Sequence, residues 1–339
     1  MVPRQSPRPR LVDVADVAGV SMKTVSNVIN GYAHVSASTR KRVEEAISRT
    51  GYSPNLSARN LARGRSGVIA LVVPRLEMPY FAALAACVVE AAEARGWFVL
   101  IHQSDGDLDT ELAALEARFP QRIDGIILSA EELRPEHLAA RADTTPLVLL
   151  GDHDTGPAAP HVGIDDHAAA RLAIEHLAEI GCRRIALIGA SSADRYHRRS
   201  RGVLDGLAAA GLEAVPGLLQ PISANTGAEG ERAMEEILTS GDVPDGVFAL
   251  TDWLAFGAIR ALHRHGVAVP ERTAVIGFDD IPYASSLTPS LTSIAPDRQA
   301  IAERAVALLE QQLQDGGWET SEEEDRVGFD LVVRESTRQ

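Results

Sequence analysis

The sequence predicts two folds in one chain: a small all-α domain built on a helix-turn-helix, then a larger α/β body of two parallel-sheet lobes. Three observations carry this. Residues 1–66 hold 11 Lys/Arg against 4 Asp/Glu, while the rest of the chain holds 22 against 43, so a net charge of −14 conceals a basic module on an acidic body. Between Leu11 and Gly51, short helical segments are set off by capping residues. From Gly67 onward, apolar runs of strand length alternate with amphipathic helices. A chain of 339 residues holds two or three domains at a prior of about 150 residues each, and 45% hydrophobic residues supply their cores.

Composition excludes several classes. Cys87 and Cys182 cannot make a disulfide framework, and no C-x-x-C is present for zinc or redox chemistry. Residues 1–10 are rich in Pro and Arg and have no apolar core, so a disordered basic tail is expected there and no secretory signal. The longest apolar run, Phe81 to Val89, is about half the length of a membrane span. The expectation is a soluble cytoplasmic protein.

The first helix covers roughly Val12 to Ala18 and stops at Gly19. The second starts at Ser21, a good N-cap, and runs to about Asn30. The third runs from about Ala37 to Arg49, capped by Ser36 and ended by Gly51. The spacer Ala18-Gly19-Val20 gives the first two the spacing of a helix-turn-helix. At about 100° per residue, Val25, Val28 and Ile29 face one way, toward the first helix. Met22, Lys23, Ser26, Asn27 and Asn30 face the other way and are free to enter a major groove. Asn can be bidentate to adenine and Lys can donate to guanine, while Ser21, Thr24 and Ser26 carry short hydroxyls suited to phosphate oxygens. The same pattern also fits a three-helix bundle with a solvated face; the local positive charge favours DNA.

Pro54 and Asn55 then suit a helix start and Gly64 its end, and the few residues between are too short to be helical alone. The stretch reads either as a flexible linker or as a segment that folds against a partner. In the body, Val68–Val73, Phe98–Ile101, Ile123–Leu128, Leu147–Leu150, Ile185–Ile188, Gly246–Leu250 and Ala274–Gly277 read as buried strands. Helices such as Tyr80–Arg95, His167–Ile180 and Trp253–His265 lie between them. Such alternation means parallel sheets covered on both faces, with a ligand where their carboxyl ends meet.

The run from Val12 to Gly31, together with Val35-Ser-Ala-Ser-Thr-Arg40, Gly51-Tyr-Ser-Pro-Asn55 and Ala58-Arg59, resembles the start of a LacI-type bacterial transcriptional regulator. The body is similar to that family's periplasmic-binding-protein type I core. The marks are Met78-Pro-Tyr-Phe81, Arg122-Ile-Asp-Gly-Ile-Ile127, His176-Leu-Ala-Glu-Ile-Gly181, Thr251-Asp-Trp-Leu-Ala-Phe-Gly-Ala258, Gly277-Phe-Asp-Asp-Ile281 and Leu287-Thr-Pro-Ser-Leu-Thr292. The resemblance implies a helix-turn-helix DNA-binding domain over 11–54 and a hinge helix over 55–66. The core would cover 67–339, with one lobe at about 67–163 and 295–325 and the other at about 164–294 and 327–336, joined by crossovers near 163, 294 and 326.

By position, the resemblance implies that Met22, Lys23 and Asn27 face bases. It places Ser21, Thr24, Ser26, His34, Thr39, Tyr52 and Asn55 near the DNA backbone. Ala58 and Leu61 belong to the hinge, Leu61 as a wedge in the minor groove. Asn27 stands where many members carry Arg. The implied effector pocket takes Tyr80 and Phe81 for stacking and Asp105, Asp165, Arg199, Thr251 and Asp279 for polar contacts, a set suited to a polyhydroxylated ligand. Asp165 and Asp279 are also candidate caps for the chain that follows them. Thr251 replaces a common Asn, Pro296 replaces a common Gln, and Gln220 to Thr226 hold no aromatic.

No G-x-G-x-x-G, Walker, G-x-S-x-G or H-E-x-x-H motif is present, so no catalytic residue, metal or cofactor is expected. Glu322 to Asp325 read as a solvated loop. The reading is a nucleoid-associated regulator, a repressor that binds palindromic double-stranded operator DNA as a homodimer without membrane contact. It would be controlled by a small-molecule effector, a sugar or derivative. A dimer is favoured because the chain carries no leucine-heptad tail. The alternatives are a solute-binding protein of the same core fold and a sugar-modifying enzyme.

Overall fold

The computed structural model describes residues 9–29, 32, 34–52, 65–151, 158–189, 198–241, 243–316 and 325–338. The chain divides into two compact units, Met1–Ser66 and Gly67–Gln339. In the first, helices α1 (Leu11–Ala18), α2 (Met22–Ile29) and α3 (Ala37–Thr50) form where the caps place them. The Ser21 and Ser36 hydroxyls accept from the Thr24 and Thr39 amides at 3.1 and 3.3 Å. Gly19 and Gly51 close α1 and α3 at φ of 63° and 65°, a left-handed turn that glycine adopts without steric penalty. Val14, Ala15 and Ala18 of α1, Val25 and Val28 of α2, and Val43 and Ala46 of α3 make one small core. Side chains this small let three short helices approach closely, and tertiary burial stabilises segments that would not be helical alone. The expected tail 1–10 lies outside the described residues except for Pro9 and Arg10.

The second unit contains two six-stranded sheets. The first has the order β11-β5-β4-β3-β1-β2, from β1 (Val68–Val73), β2 (Phe98–Gln103), β3 (Gly125–Ser129), β4 (Leu147–Leu150), β5 (His161–Gly163) and β11 (Asp325–Arg326). The second has the order β12-β10-β9-β8-β6-β7, from β6 (Ile185–Ile188), β7 (Leu219–Gln220), β8 (Gly246–Ala249), β9 (Ala274–Phe278), β10 (Thr292–Pro296) and β12 (Phe329–Val332). All pairs are parallel except β10 with β12, which runs antiparallel because the chain turns back after crossing from β11. The chain passes between the sheets after β5, after β10 and between β11 and β12. The helix Arg298–Asp315 follows β10 of the second sheet yet packs on the first. Its Gln312 side chain, itself buried, accepts from the Leu147 amide at 3.2 Å and donates to the Leu147 carbonyl at 3.0 Å.

Two strand expectations need correction. β2 is not a buried strand: it is the edge of its sheet, and Phe98 and Ile101 are 55% and 38% exposed. Ile123 and Asp124 precede β3 instead of opening it, because the Asp124 carboxylate turns back to the Gly67 amide at 2.7 Å. Asp325 opens β11 and pairs with Arg304 at 2.7 Å, so it is not loop; residues 322–324 lie outside the described residues.

Candidate functional site

In the first unit, α2 separates its faces as its periodicity requires. Val25 and Val28 are buried, Ser21, Met22 and Lys23 are exposed, and Thr24, Ser26 and Asn27 are half-buried. The Ser21 and Thr24 hydroxyls lie 2.9 Å apart at the helix start, and Ser36 donates to the Thr39 hydroxyl at 2.9 Å. Two capped N-termini thus present hydroxyls beside backbone N–H groups, an arrangement suited to phosphate oxygens. His34 is exposed, with its ring 6.2 Å from that of Tyr32, and Tyr52 leans on the three-helix core. Asn30, Asn55, Ala58 and Leu61 lie outside the described residues.

In the second unit, a cavity of about 360 Å³ opens between the carboxyl ends of the two sheets. Tyr80 and Phe81 enter it from the start of the helix Pro79–Glu93, with their rings edge-to-face at 5.3 Å. Tyr80 is surrounded by protein, and burial followed by the nearby Asp279 charge pushes its phenol well above the usual range, so it stays neutral. Its hydroxyl finds no hydrogen-bond partner among the described residues and is available to a ligand. On the opposite wall, Arg199 donates from Nε to Asp166 at 2.8 Å and from Nη1 to the Leu250 carbonyl at 3.0 Å. Its Nη1 lies 3.8 Å from Asp279, and its guanidinium carbon sits 3.6 Å over the Phe278 ring. Thr251 donates to the Asn225 side-chain oxygen at 2.6 Å and accepts from the Leu254 amide at 3.3 Å, which occupies its hydroxyl with protein partners.

Asp279 stands at φ 102° and Asp280 at φ 44°, left-handed values that cost a non-glycine residue about 1–3 kcal/mol each. The turn is held from below by fully buried Asp252, which accepts from the Ile281 amide at 2.8 Å and from the Ser293 hydroxyl at 2.6 Å. Burial first, then the neighbouring Asp279 charge, raises the Asp252 carboxyl well above the ordinary range. On the other lobe, buried Glu111 accepts from the Glu131, Glu132 and Leu133 amides at 2.8, 3.0 and 3.1 Å and fixes the loop that carries Glu131 to the cavity wall.

The structure therefore brings together five of the seven expected pocket residues: Tyr80, Phe81, Arg199, Thr251 and Asp279. Asp165 is not on the wall. It caps the helix Asp166–Glu179 through the Ala168 amide at 3.0 Å and pairs with Arg326, leaving the wall position to Asp166. Asp105 is not on it either; at φ 58° it accepts from the Gln103 amide group at 2.6 Å. Sequence reasoning missed Asp166, Glu131 and Asn225 on the wall and the buried carboxylates Glu111 and Asp252 behind it. The position of Glu131 directly after β3 was the usable signal, since the ligand was expected at strand carboxyl ends. Buried Cys182 is no nucleophile: burial pushes its thiol up to about 12, and it donates to the Asp245 carbonyl at 3.1 Å. Among the described residues no group of three His, Cys, Asp or Glu could hold a metal ion, and no helix is long and apolar enough to cross a membrane.

A basic helix-turn-helix unit joined to a two-sheet α/β unit with a ligand-sized cleft defines a class: DNA-binding regulators built on a periplasmic-binding-protein-like core. Residues 10–55 match the family described as bacterial regulatory proteins, lacI family, and residues 174–337 match the periplasmic binding protein-like domain. The chain belongs to the LacI family of bacterial transcriptional regulators. It is 31% identical to the ribose operon repressor of Halalkalibacterium halodurans over 96% of each chain. It is 32% identical to the transcriptional repressor PurR of Pasteurella multocida, over 96% of this chain and 98% of that one. Among solved structures, the Lac repressor dimer bound to operator and the anti-inducer ONPF matches at TM-score 0.81 and 27% identity, over 98% of this chain and 99% of that one. The regulator CelR in complex with cellobiose matches at TM-score 0.69 and 30% identity, over 97% and 100%.

Proposed function

We propose that this protein is a cytoplasmic repressor that binds a palindromic operator as a homodimer and is released from it by a small polyhydroxylated effector held in the cleft. The observation that carries the effector reading is the cavity itself. It has the volume of a sugar-sized site, an aromatic pair on one lobe, and Arg199 with Asp279 on the other. Relatives named for ribose and found with cellobiose support a sugar or derivative; the relative named PurR makes a purine the competing ligand. Met22, Lys23 and Asn27 are proposed to read bases, with Ser21, Thr24, Ser26, His34, Thr39, Tyr52 and Asn55 at the backbone and Leu61, beside Ala58, as the hinge wedge. The likeness to the Lac repressor, whose structure is a dimer bound to operator, supports association with a second copy.

The experiment is calorimetry and operator binding of the full chain with a panel of sugars and purines. Asp279→Ala is expected to abolish the response to the effector so identified. If that variant binds the effector as tightly as wild type, the pocket assignment fails. If only a purine binds, the sugar reading fails and the regulator reading stands.

A further inference from the structure

We propose that the Asn225 side-chain amide is a specificity-determining donor of the cleft, its Nδ2 bonding to a hydroxyl oxygen of the effector, and that Thr251 is the positioning residue that turns it there. This rests on the reading of the cleft as the effector site and adds to it one directed contact from the second lobe. Asn225 and Thr251 both line the cavity. Thr251 is buried and caps the helix Asp252–Arg264, where its hydroxyl oxygen accepts from the Leu254 amide at 3.3 Å. The hydroxyl proton needs an acceptor and finds it in Asn225 Oδ1 at 2.6 Å. A hydroxyl has one proton to give, so this bond decides which end of the amide faces Thr251. The carbonyl end is thereby taken, and the Nδ2 protons have no hydrogen-bond partner among the described residues. A half-buried primary amide in that position leaves its donors to water or to a ligand.

The segment that carries Asn225 is fixed without any ligand. Glu229, in the first turn of the helix Gly227–Thr239, accepts from the Ser223 amide at 2.9 Å. Arg232 pairs with Glu229 at 3.0 Å and donates to the Pro221 carbonyl at 3.2 Å. The two helices that follow Asn225 and Thr251 also pack backbone against backbone. There is no room for a Cβ at Gly230 against the Leu254 carbonyl, or at Gly257 against that of Gly227. Their N-termini, and with them the amide and its hydroxyl support, therefore keep one separation. An amide held in this way does not turn aside to find another partner. A ligand hydroxyl can accept from Nδ2 and still donate elsewhere on the wall, whereas a C–H in its place leaves the fixed donor unpaired.

The test is calorimetry on the full chain with ribose, cellobiose and adenosine, at least one of which is expected to bind. Asn225→Ala should weaken that probe about three- to tenfold. One of its deoxy analogues should bind wild type about tenfold more weakly than the parent, yet bind Asn225→Ala almost as well as the parent does, which identifies the hydroxyl that the amide holds. Thr251→Val should reproduce the loss and Thr251→Ser should restore wild-type affinity. The double variant Asn225→Ala, Thr251→Val should bind no more weakly than Asn225→Ala alone, because Thr251 acts through the amide. Additive losses would give Thr251 a structural role of its own and overturn its assignment. A probe held as tightly by Asn225→Ala as by wild type overturns the inference, as does a deoxy penalty that is equal in the two proteins at every hydroxyl. If none of the three binds, the effector reading loses its sugar and purine candidates, and the amide is tested directly with glycerol. Its side-chain NH2 resonances, assigned by their absence from Asn225→Ala, should shift as glycerol is added to wild type and not to Thr251→Val. Resonances that stay in place, or that move equally in both proteins, overturn the inference.

Discussion

Arg199→Met is the substitution for which the structure makes the sharpest quantitative claim. The guanidinium joins Asp166, Asp279, the Leu250 carbonyl and the Phe278 ring, and the Arg199 and Asp166 side chains are only 15% and 4% exposed. Methionine keeps an apolar side chain of similar reach and removes the charge that sits over Phe278. Breaking one partner of a buried ion pair costs about 3–5 kcal/mol, because it strands the other charge away from water. At about 2–4 °C per kcal/mol for a unit of this size, the melting temperature should fall by roughly 6–20 °C. Urea or thermal unfolding of the full chain, followed by circular dichroism, measures it. The control is a double-mutant cycle with Asp166→Asn. Removing both charges should recover about 1–3 kcal/mol relative to the sum of the single changes, short of full recovery because Asp279 still loses its cation. Strict additivity in that cycle would show that Arg199 and Asp166 are not energetically coupled, and the electrostatic account of this wall would have to be abandoned.

Two further predictions follow from the buried turn and from the recognition face. The raised Asp252 carboxyl means that the native state holds this proton more tightly than the unfolded chain does. Its contribution to stability is therefore lost as pH rises from the ordinary carboxylate range through the raised value. Asp252→Asn keeps an acceptor for the Ile281 amide and should flatten this loss above the ordinary carboxylate range, measured by urea unfolding at a series of pH values; parallel curves for the two proteins would rule it out. In the first unit, Lys23→Ala or Asn27→Ala should each cost about 1–3 kcal/mol on the cognate operator and much less on random duplex in fluorescence-anisotropy titrations. Equal losses on both DNAs would assign these side chains to phosphate instead of bases.

What was legible in the sequence is what local physics decides. Ser21, Ser36, Gly19 and Gly51 act within one turn of themselves, so the three N-terminal helices were predicted to within a residue or two. Long apolar runs such as Val68–Val73 declare a central strand in the same way. Short strands do not: β5 includes His161 and Gly163, and β10 begins with Thr292 and Ser293. Those polar residues are buried only because distant partners satisfy them. The Thr292 and Thr337 hydroxyls share a hydrogen bond at 2.8 Å, and Ser293 donates to Asp252. The site divides along the same line. The aromatic pair and Arg199 could be placed by family position, whereas the choice between Asp165 and Asp166 depended on which carboxylate turned back to cap its helix. The place of Glu131 just after β3 makes it a candidate, but the loop that holds it there is fixed by Glu111, a partner twenty residues earlier in the chain.

The placement of the cavity relative to the crossings gives the regulatory reading its physical basis. Gly163 and Ile164, where the chain first leaves the first sheet, and Pro296, where it returns, are themselves wall residues. A ligand that fills the cleft therefore touches both sheets' strand ends and two of the three connections between them. Only a difference in its affinity for two arrangements of the lobes can bias one arrangement over the other. The wall supplies such a difference, because Tyr80 and Phe81 belong to one lobe while Arg199 and Asp279 belong to the other, and their separation must match the ligand. The rigid supports serve the same end. Asp252 holds the strained Asp279 turn, and Glu111 holds the Glu131 loop, so a change in lobe arrangement moves each set of contacts as a body. Binding energy then goes into the relative position of the lobes, and only a ligand that distinguishes two such positions can alter DNA binding.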